Sequence, residues 1–330
     1  MIGINNPTLR HPTEAKTLRR ALDGDINSAN SVLRYLGANP DLCLIMQETI
    51  HDINDSRVWS RLLHFLAFGC WQGQHIYPQP VNAAASQRID RSIAEIFIQD
   101  VENNGSDERE VILLEALKSE EPQLRQAAAY LLGLRGDRKA IPYLDETIDK
   151  GTKRWQLLAV KALASLKDES CGPPLIKALV INRDKIHRKA RWALQGLGHL
   201  AEPAWLQALD HPDAHIRWHA ARGLGELGDA SYANIIAEGL FDENYAVRWA
   251  TADVLARLGS QAVPVTLTML SQRNLTEQSR QAANHALHGI TSRRVQQRLT
   301  PLLDALHSPA ASVEVPAIAQ RLLMEWDGSE

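Results

Sequence analysis

Three tryptophans, Trp192, Trp218 and Trp249, each have a charged residue four positions away: Arg188, Arg222 and Asp253. Four residues is one turn of an α-helix, so each pair shares a helix face. An indole face attracts cations and stacks on flat groups, and Trp and Arg dominate binding hot spots. This set therefore reads as the centre of a contact surface. Tyr130 and Lys161 hold the matching positions further toward the N-terminus and extend it. Large aromatics also fill gaps against neighbouring helices, and that packing reading stays open. A second set repeats one basic position: Arg125, His187, Arg217, Arg248 and Arg280. It could be an anion ladder. The structural reading is preferred, because Asp213 precedes Arg217 by four and Asn244 precedes Arg248 by four. His215 and His219 are also four apart, with His211 in the preceding turn. That spacing can hold a metal, but no acid lies between them and no third ligand is fixed, so no metal is expected. No nucleophile elbow or phosphate loop occurs. Gly223, Gly225 and Gly228 have dinucleotide-loop spacing, but they close a helix rather than follow a strand.

The elements that carry these residues repeat. The clearest copy runs Ile216-Arg217-Trp218-His219-Ala220-Ala221-Arg222-Gly223-Leu224-Gly225-Glu226-Leu227-Gly228. Related copies begin at Leu124, Trp155, Ile186, Val247 and Ser279. Their second positions are Arg125, Gln156, His187, Arg217, Arg248 and Arg280, an offset of about 31 residues. Apolar positions 1, 5, 8, 9 and 12 make one helical stripe, and positions 3 and 7 lie opposite it. A shorter helical run precedes each copy from Trp155 onward: Ile141–Ile148, Pro174–Val180, Pro203–Leu209, Ser231–Leu240 and Pro264–Leu270. Proline at or near four of their starts fits the first helical turn. The pairs Gly136-Asp137 and Gly228-Asp229 end one helix and cap the next. The unit is a helix–turn–helix that buries its apolar face by stacking on its neighbours.

The expected fold is all-α, a right-handed α-solenoid of helix pairs. Residues 1–112 form an N-terminal helical region, either degenerate repeats or a cap. Helical runs are expected there at Thr13–Leu22, Ser28–Leu36, Asp41–His51, Val58–Cys70 and Ser86–Val101, with Gly69–Asn82 as a loop. Residues 113–290 form the regular array. Residues 291–330 form a C-terminal cap with helices near Arg294–His307 and Val313–Trp326.

The repeat resembles the short HEAT-like repeats of the phycobilisome (bilin) lyases over Leu113 to Ile290. The resemblance implies that the second helix of each pair lines a concave face. That face would carry Trp192, Trp218 and Trp249 with their charges. It also implies a bilin-handling alternative, since Trp with Arg and Lys suits a flat tetrapyrrole bearing two carboxylates. Trp249, Asp253 and Arg280 look like the Trp and Asp constellation of the HEAT-like alkylpurine DNA glycosylases, a minor alternative. The iron-binding His-Glu dipeptide of the HEAT-repeat deoxyhypusine hydroxylases is absent.

Composition narrows the field. The 330 residues carry 36 Lys+Arg and 39 Asp+Glu, a net charge of -3, which disfavours coating nucleic acid. Lys150–Arg191 holds eleven Lys/Arg against three acids, and Glu202–Glu243 holds eight acids against two arginines. A basic segment of this kind fits an acidic partner or one with an anionic ligand. Cys43, Cys70 and Cys171 make no disulfide framework. The first residues show no leader pattern, and the best apolar run, Leu62–Cys70, is too short to span a bilayer. The primary expectation is a cytoplasmic, non-catalytic scaffold with no cofactor that binds a protein partner. Bilin lyase or isomerase activity, with bilin as ligand, is the alternative.

Overall fold

A computed structural model describes residues 12–36, 56–68, 70–71, 74–75, 90–91, 93–94, 107–181, 184–272 and 274–326. The expected run at Asp41–His51 lies outside them, as does most of Ser86–Val101. The chain divides into two compact units, Met1–Lys167 and Asp168–Glu330. That division falls inside the array expected over residues 113–290.

In the first unit the helices are α1 (Pro12–Leu22), α2 (Ile26–Leu36), α3 (Ser56–Phe68), α4 (Asp107–Leu117), α5 (Pro122–Leu134), α6 (Ile141–Lys150) and α7 (Lys153–Leu166). Within the stretch expected to be a loop, two-residue strands β1 (Cys70–Trp71) and β2 (Gln74–His75) pair antiparallel. The packing is pairwise: α1 on α2, α5 on α7, α6 on α7, and α3 on α5. Asp90 is buried at 2% exposure, which is tolerable because Arg154 of α7 grips it with two nitrogens. The same guanidinium donates to the carbonyl of Leu66 at 2.9 Å and so ties α7 to α3.

The second unit contains α8 (Gly172–Leu179), α9 (Asp184–Leu197), α10 (Glu202–Ala208), α11 (Ala214–Leu227), α12 (Ala233–Ala237), α13 (Tyr245–Leu258), α14 (Val263–Gln272), α15 (Glu277–His288), α16 (Arg293–Leu306) and α17 (Ala311–Met324). Short 3-10 turns precede α8, α10, α12 and α14. This is the all-α class of stacked helix pairs that the repeat predicts, and no described helix is long and apolar enough to cross a membrane. Val263, Leu267 and Leu270 of α14 share one core with Leu299 and Leu302 of α16 and Val315 and Ala319 of α17. The last two helices are thus packed onto the array through their own apolar stripes.

Helix ends follow from single residues. Gly136 and Gly228 take positive φ, 85° and 72°, which stops the helix without a Cβ clash. Asp137 and Asp229 then accept from the backbone N–H two residues on. Asp168 does the same after Lys167, which adopts the left-handed conformation (φ 48°) with a side chain attached.

Small residues set how closely helices approach. Ala127, Ala128, Ala220, Ala221, Ala282 and Ala283 are all at most 1% exposed. At Gly223 an added Cβ would fall 2.4 Å from the buried ring of Trp205. Gly196, also inside a helix, has nothing within 4 Å of that position. Gly223→Ala should therefore destabilise by about 1–3 kcal/mol through overpacking. Gly196→Ala should stabilise by up to about 1 kcal/mol through helix propensity. Urea unfolding of the two variants checks this, and a shift of the same sign in both would contradict it.

Candidate functional site

The repeated basic position has a consistent local task. Arg125 donates to the carbonyls of Ser119 and Glu120 at 2.8 and 2.9 Å. Arg217 donates to those of His211 and Pro212 at 2.8 and 3.0 Å, and Arg248 to those of Asp242 and Glu243 at 2.7 and 2.9 Å. In each case the acceptors lie six and five residues back, in the turn that enters the helix. His187 reaches the carbonyl of Leu179 through Nδ1 at 2.7 Å, and Gln156 reaches that of Ile148 at 2.8 Å. Arg280 differs, with long contacts of 3.4 and 3.5 Å to the carbonyls of Leu306 and Ser308.

The acids assigned to this ladder from spacing alone need correcting. Asp213 does not pair with Arg217. It caps α11 by accepting from the His215 N–H, and Asn244 caps α13 in the same way. Arg217 instead makes a two-pronged bond to Asp242, at 2.7 and 2.9 Å, with Glu243 at 3.4 Å. That bond raises the Arg217 pKa above its ordinary value. Burial works to raise the Asp242 carboxyl, but the Arg217 and Asn244 hydrogen bonds prevail and leave it below the usual range.

Tyr130 also needs correcting. It is 1% exposed rather than on a surface, on the helix against which α3 packs. Exposed Lys161 sits over its ring at 5.9 Å and meets its hydroxyl at 3.3 Å.

The second unit gathers the remaining contact residues into two clusters. Among the described residues no ring contact joins Trp218 to Trp249. The first cluster spans α9 and α11. Trp192 is 56% exposed, and the cation over it is Lys189, at 5.2 Å, rather than Arg188, which is exposed. Trp218 is half-buried under Arg222, whose guanidinium carbon lies 4.8 Å from the ring centre. The Trp218 indole meets the His219 ring edge-on at 4.6 Å and stacks with His215 at 6.1 Å. His219 in turn lies 5.2 Å from His187 and 4.9 Å from His215. Arg191 and Gln195 of α9 both bond to Glu226 of α11, at 3.3 and 3.0 Å, so part of the basic segment answers the acidic one.

His219 is the residue that sequence reasoning did not single out by itself. It is 7% exposed, and its Nε2 finds no hydrogen-bond partner among the described residues. Burial, with His215, His187, Arg191 and Arg222 around it, pushes its pKa down to about 3. The only sequence signal was the 211/215/219 spacing, read above for metal. Among the described residues no group of three His, Cys, Asp or Glu side chains is arranged to hold a metal. The cluster is a positive field built on a neutral, buried imidazole.

The second cluster spans α13 and α15. Asp253 Oδ1 lies 2.7 Å from His285 Nε2, so the imidazole N–H donates across the repeat junction. The His285 ring then lies 4.3 Å from Trp249, which also meets Tyr245 at 5.6 Å. Asp253 is engaged by this histidine, and Arg280 is turned toward carbonyls. The glycosylase-like reading needed both residues directed at a substrate. Beside Trp249 a cleft of about 570 Å³ opens between α15 and the turn from α16 to α17. Sequence reasoning missed it, because that turn was read only as part of a cap.

A pH dependence follows for the first cluster. The His219 pKa falls from 6.5 unfolded to about 3 folded. Above pH 6.5 the ring is neutral in both states. Below it the unfolded chain takes up a proton that the folded chain refuses, so stability falls as pH drops from 6.5 toward 3. His219→Phe removes that proton. Denaturant unfolding at several pH values should show a shallower acid loss for this variant than for the wild type. An unchanged slope would contradict the assignment.

Comparison with known proteins adds the following. The family profile for HEAT repeats matches residues 110–195 and 202–288. Phycocyanobilin lyase subunit alpha of Nostoc sp. (strain PCC 7120 / SAG 25.82 / UTEX 2576) is 25% identical over 206 residues, 56% of this chain and 74% of that one. Among solved structures, an engineered protein is 15% identical at a TM-score of 0.39, covering 94% of this chain and 98% of its own. The complex of CpcE and CpcF of phycocyanin lyase from Nostoc sp. PCC7120 is 22% identical at 0.28, covering 69% and 91%. Human deoxyhypusine hydroxylase in complex with glycerol is 16% identical at 0.28, covering 86% and 99%.

Proposed function

The chain belongs to the HEAT-repeat family, and from that premise we propose that it is a bilin-handling protein of the lyase-subunit type. In this reading it holds a linear tetrapyrrole, or the protein that carries one, on the α9–α11 face. The observation that carries the reading is the pair of cations over indole rings, Arg222 on Trp218 and Lys189 on Trp192. A flat conjugated ligand can lie along the indoles while its carboxylates meet the guanidinium and ammonium groups. The positive surroundings of His219 favour the same charge. Similarity to phycocyanobilin lyase subunit alpha supports the choice of tetrapyrrole over other flat anions. The ligand is cargo rather than a resident cofactor, and the partner is a protein that donates or receives it, in the cytoplasm.

A second reading, a non-catalytic scaffold for a protein partner, is favoured by one observation. Trp192 at 56% and Tyr245 at 62% exposure leave two large aromatics open to solvent, as a protein-contact hot spot does before its partner arrives. Arg188, Trp192, Trp218 and Arg222 would then contact the protein directly.

Titration with phycocyanobilin, followed by visible absorbance, separates these readings. The wild type should bind saturably, with a shifted absorption band. The double variant Trp192→Ala/Trp218→Ala should keep its helical circular dichroism and bind at least about tenfold more weakly. Absence of saturable binding, or equal binding by the folded double variant, would sink the bilin reading. A colourless protein that co-purifies with the wild type and is lost from the double variant would establish the scaffold.

A further inference from the structure

We propose that the cleft bounded by α13, α15 and the α16–α17 turn is a binding site for a small planar aromatic carboxylate. The inference does not rest on the bilin reading, because the cleft lies beyond the α9–α11 cluster and is built from other residues. Trp249, Arg280, Asn284, His285, His288 and His307 all line it. Its volume of about 570 Å³ falls within the range of small-molecule sites. A neighbouring hollow of about 530 Å³ shares Asn284, His288 and His307 and gives a longer ligand room to extend.

The chemistry of the lining selects the ligand. One wall is aromatic and fixed: Asp253 holds the His285 ring by a 2.7 Å hydrogen bond, and the ring packs 4.3 Å from Trp249. A platform held from two repeats is pre-organised, so little side-chain freedom is lost when a flat ring docks on it. The other wall offers donors. The Arg280 contacts, at 3.4 and 3.5 Å, use Nη1 only. Among the described residues its Nη2 and Nε donors are uncommitted, in a fork that matches a carboxylate. His307 donates Nδ1–H to the carbonyl of Leu303 at 2.9 Å, which sets its ring; Nε2 of that tautomer is an acceptor, so the donors facing a carboxylate are those of Arg280. Glu277, the acid of this cleft, accepts from Gln281 at 3.3 Å, and Asp304 lines the neighbouring hollow, so the carboxylate is directed to the Arg280 side. A neutral aromatic would satisfy only the first wall and a bare anion only the second. A planar carboxylate satisfies both.

The test uses the full chain and a matched pair of probes, 2-naphthoate and 2-naphthalenemethanol, in isothermal titration calorimetry. Naphthoate should bind saturably at or below about a millimolar, and the neutral alcohol about tenfold more weakly. Trp249→Leu should weaken naphthoate about tenfold, and His288→Ala, at an exposed position with little folding risk, by a few-fold. Val111→Ala, at an exposed position outside both clusters, should leave naphthoate binding unchanged. Three results would overturn the proposal: no saturable binding, equal affinity for the alcohol, or loss in Val111→Ala with Trp249→Leu unaffected. Because phycocyanobilin and naphthoate are read against different variants, the failure of either proposal is visible without the other.

Discussion

Each described helix pair of the repeat array has to enter its second helix through a turn whose carbonyls have no helical partner. Leaving such a carbonyl dry and unpaired costs about 1–3 kcal/mol, and a stack of repeats would face that cost at every junction. At every copy of the repeat but the last, the second position of the inner helix removes it. Arg125, Arg217 and Arg248 each fold back onto two carbonyls five and six residues earlier. Gln156 and His187 each reach one carbonyl eight residues earlier, in the last turn of the preceding helix. In α16, Gln296 gathers the carbonyls of Leu287, His288 and Ile290. Once these bonds fix the turn, the alanine faces can approach closely, and the positions opposite them, apart from buried Tyr130, are set at the surface. Both the two aromatic clusters and the cleft are consequences of that placement.

The repeat was legible because its determinants are local. Apolar spacing, glycine stops and aspartate caps act within a dozen residues, and the observed helices start and end within a few residues of the expected ones. What was not legible depended on what packs across a junction. Asp213 and Asp242 are equally plausible partners for Arg217 on charge alone. Only the return of the next repeat brings Asp242 within 2.7 Å, while Asp213 is already spent on capping its own helix. Tyr130 shares its helical position with Trp192, yet α3 packs against its helix and it is buried. The sequence of the array cannot specify what lies over its first inner helix.

The candidate site shows the same division. The pairing of Arg222 with Trp218 was readable because both sit on one helix, one turn apart. The pairing of Asp253 with His285 joins two repeats, and it turned an apparent catalytic acid into a support for an aromatic wall. His219 was hidden for another reason. A histidine at an inner position carries no distinguishing pattern, and its altered basicity arises from burial together with two histidines and two arginines on two helices. The two clusters therefore differ in character. One holds a positive field around a neutral ring, and the other holds an aromatic wall steadied by a hydrogen bond.

The carbonyl-directed bonds carry one more implication. Their acceptors are main-chain atoms, which every residue except a rearranged turn supplies in the same place. The side chain doing the donating has already been exchanged among Arg, Gln and His between repeats of this one molecule. The residues three and seven along each inner helix take no part in those bonds. Mutational drift can thus rewrite the outward positions repeat by repeat while the hydrogen bonding of the turns stays intact. A descendant of this gene could change the chemistry of its surface by altering a handful of outward side chains, with no intermediate that has to refold.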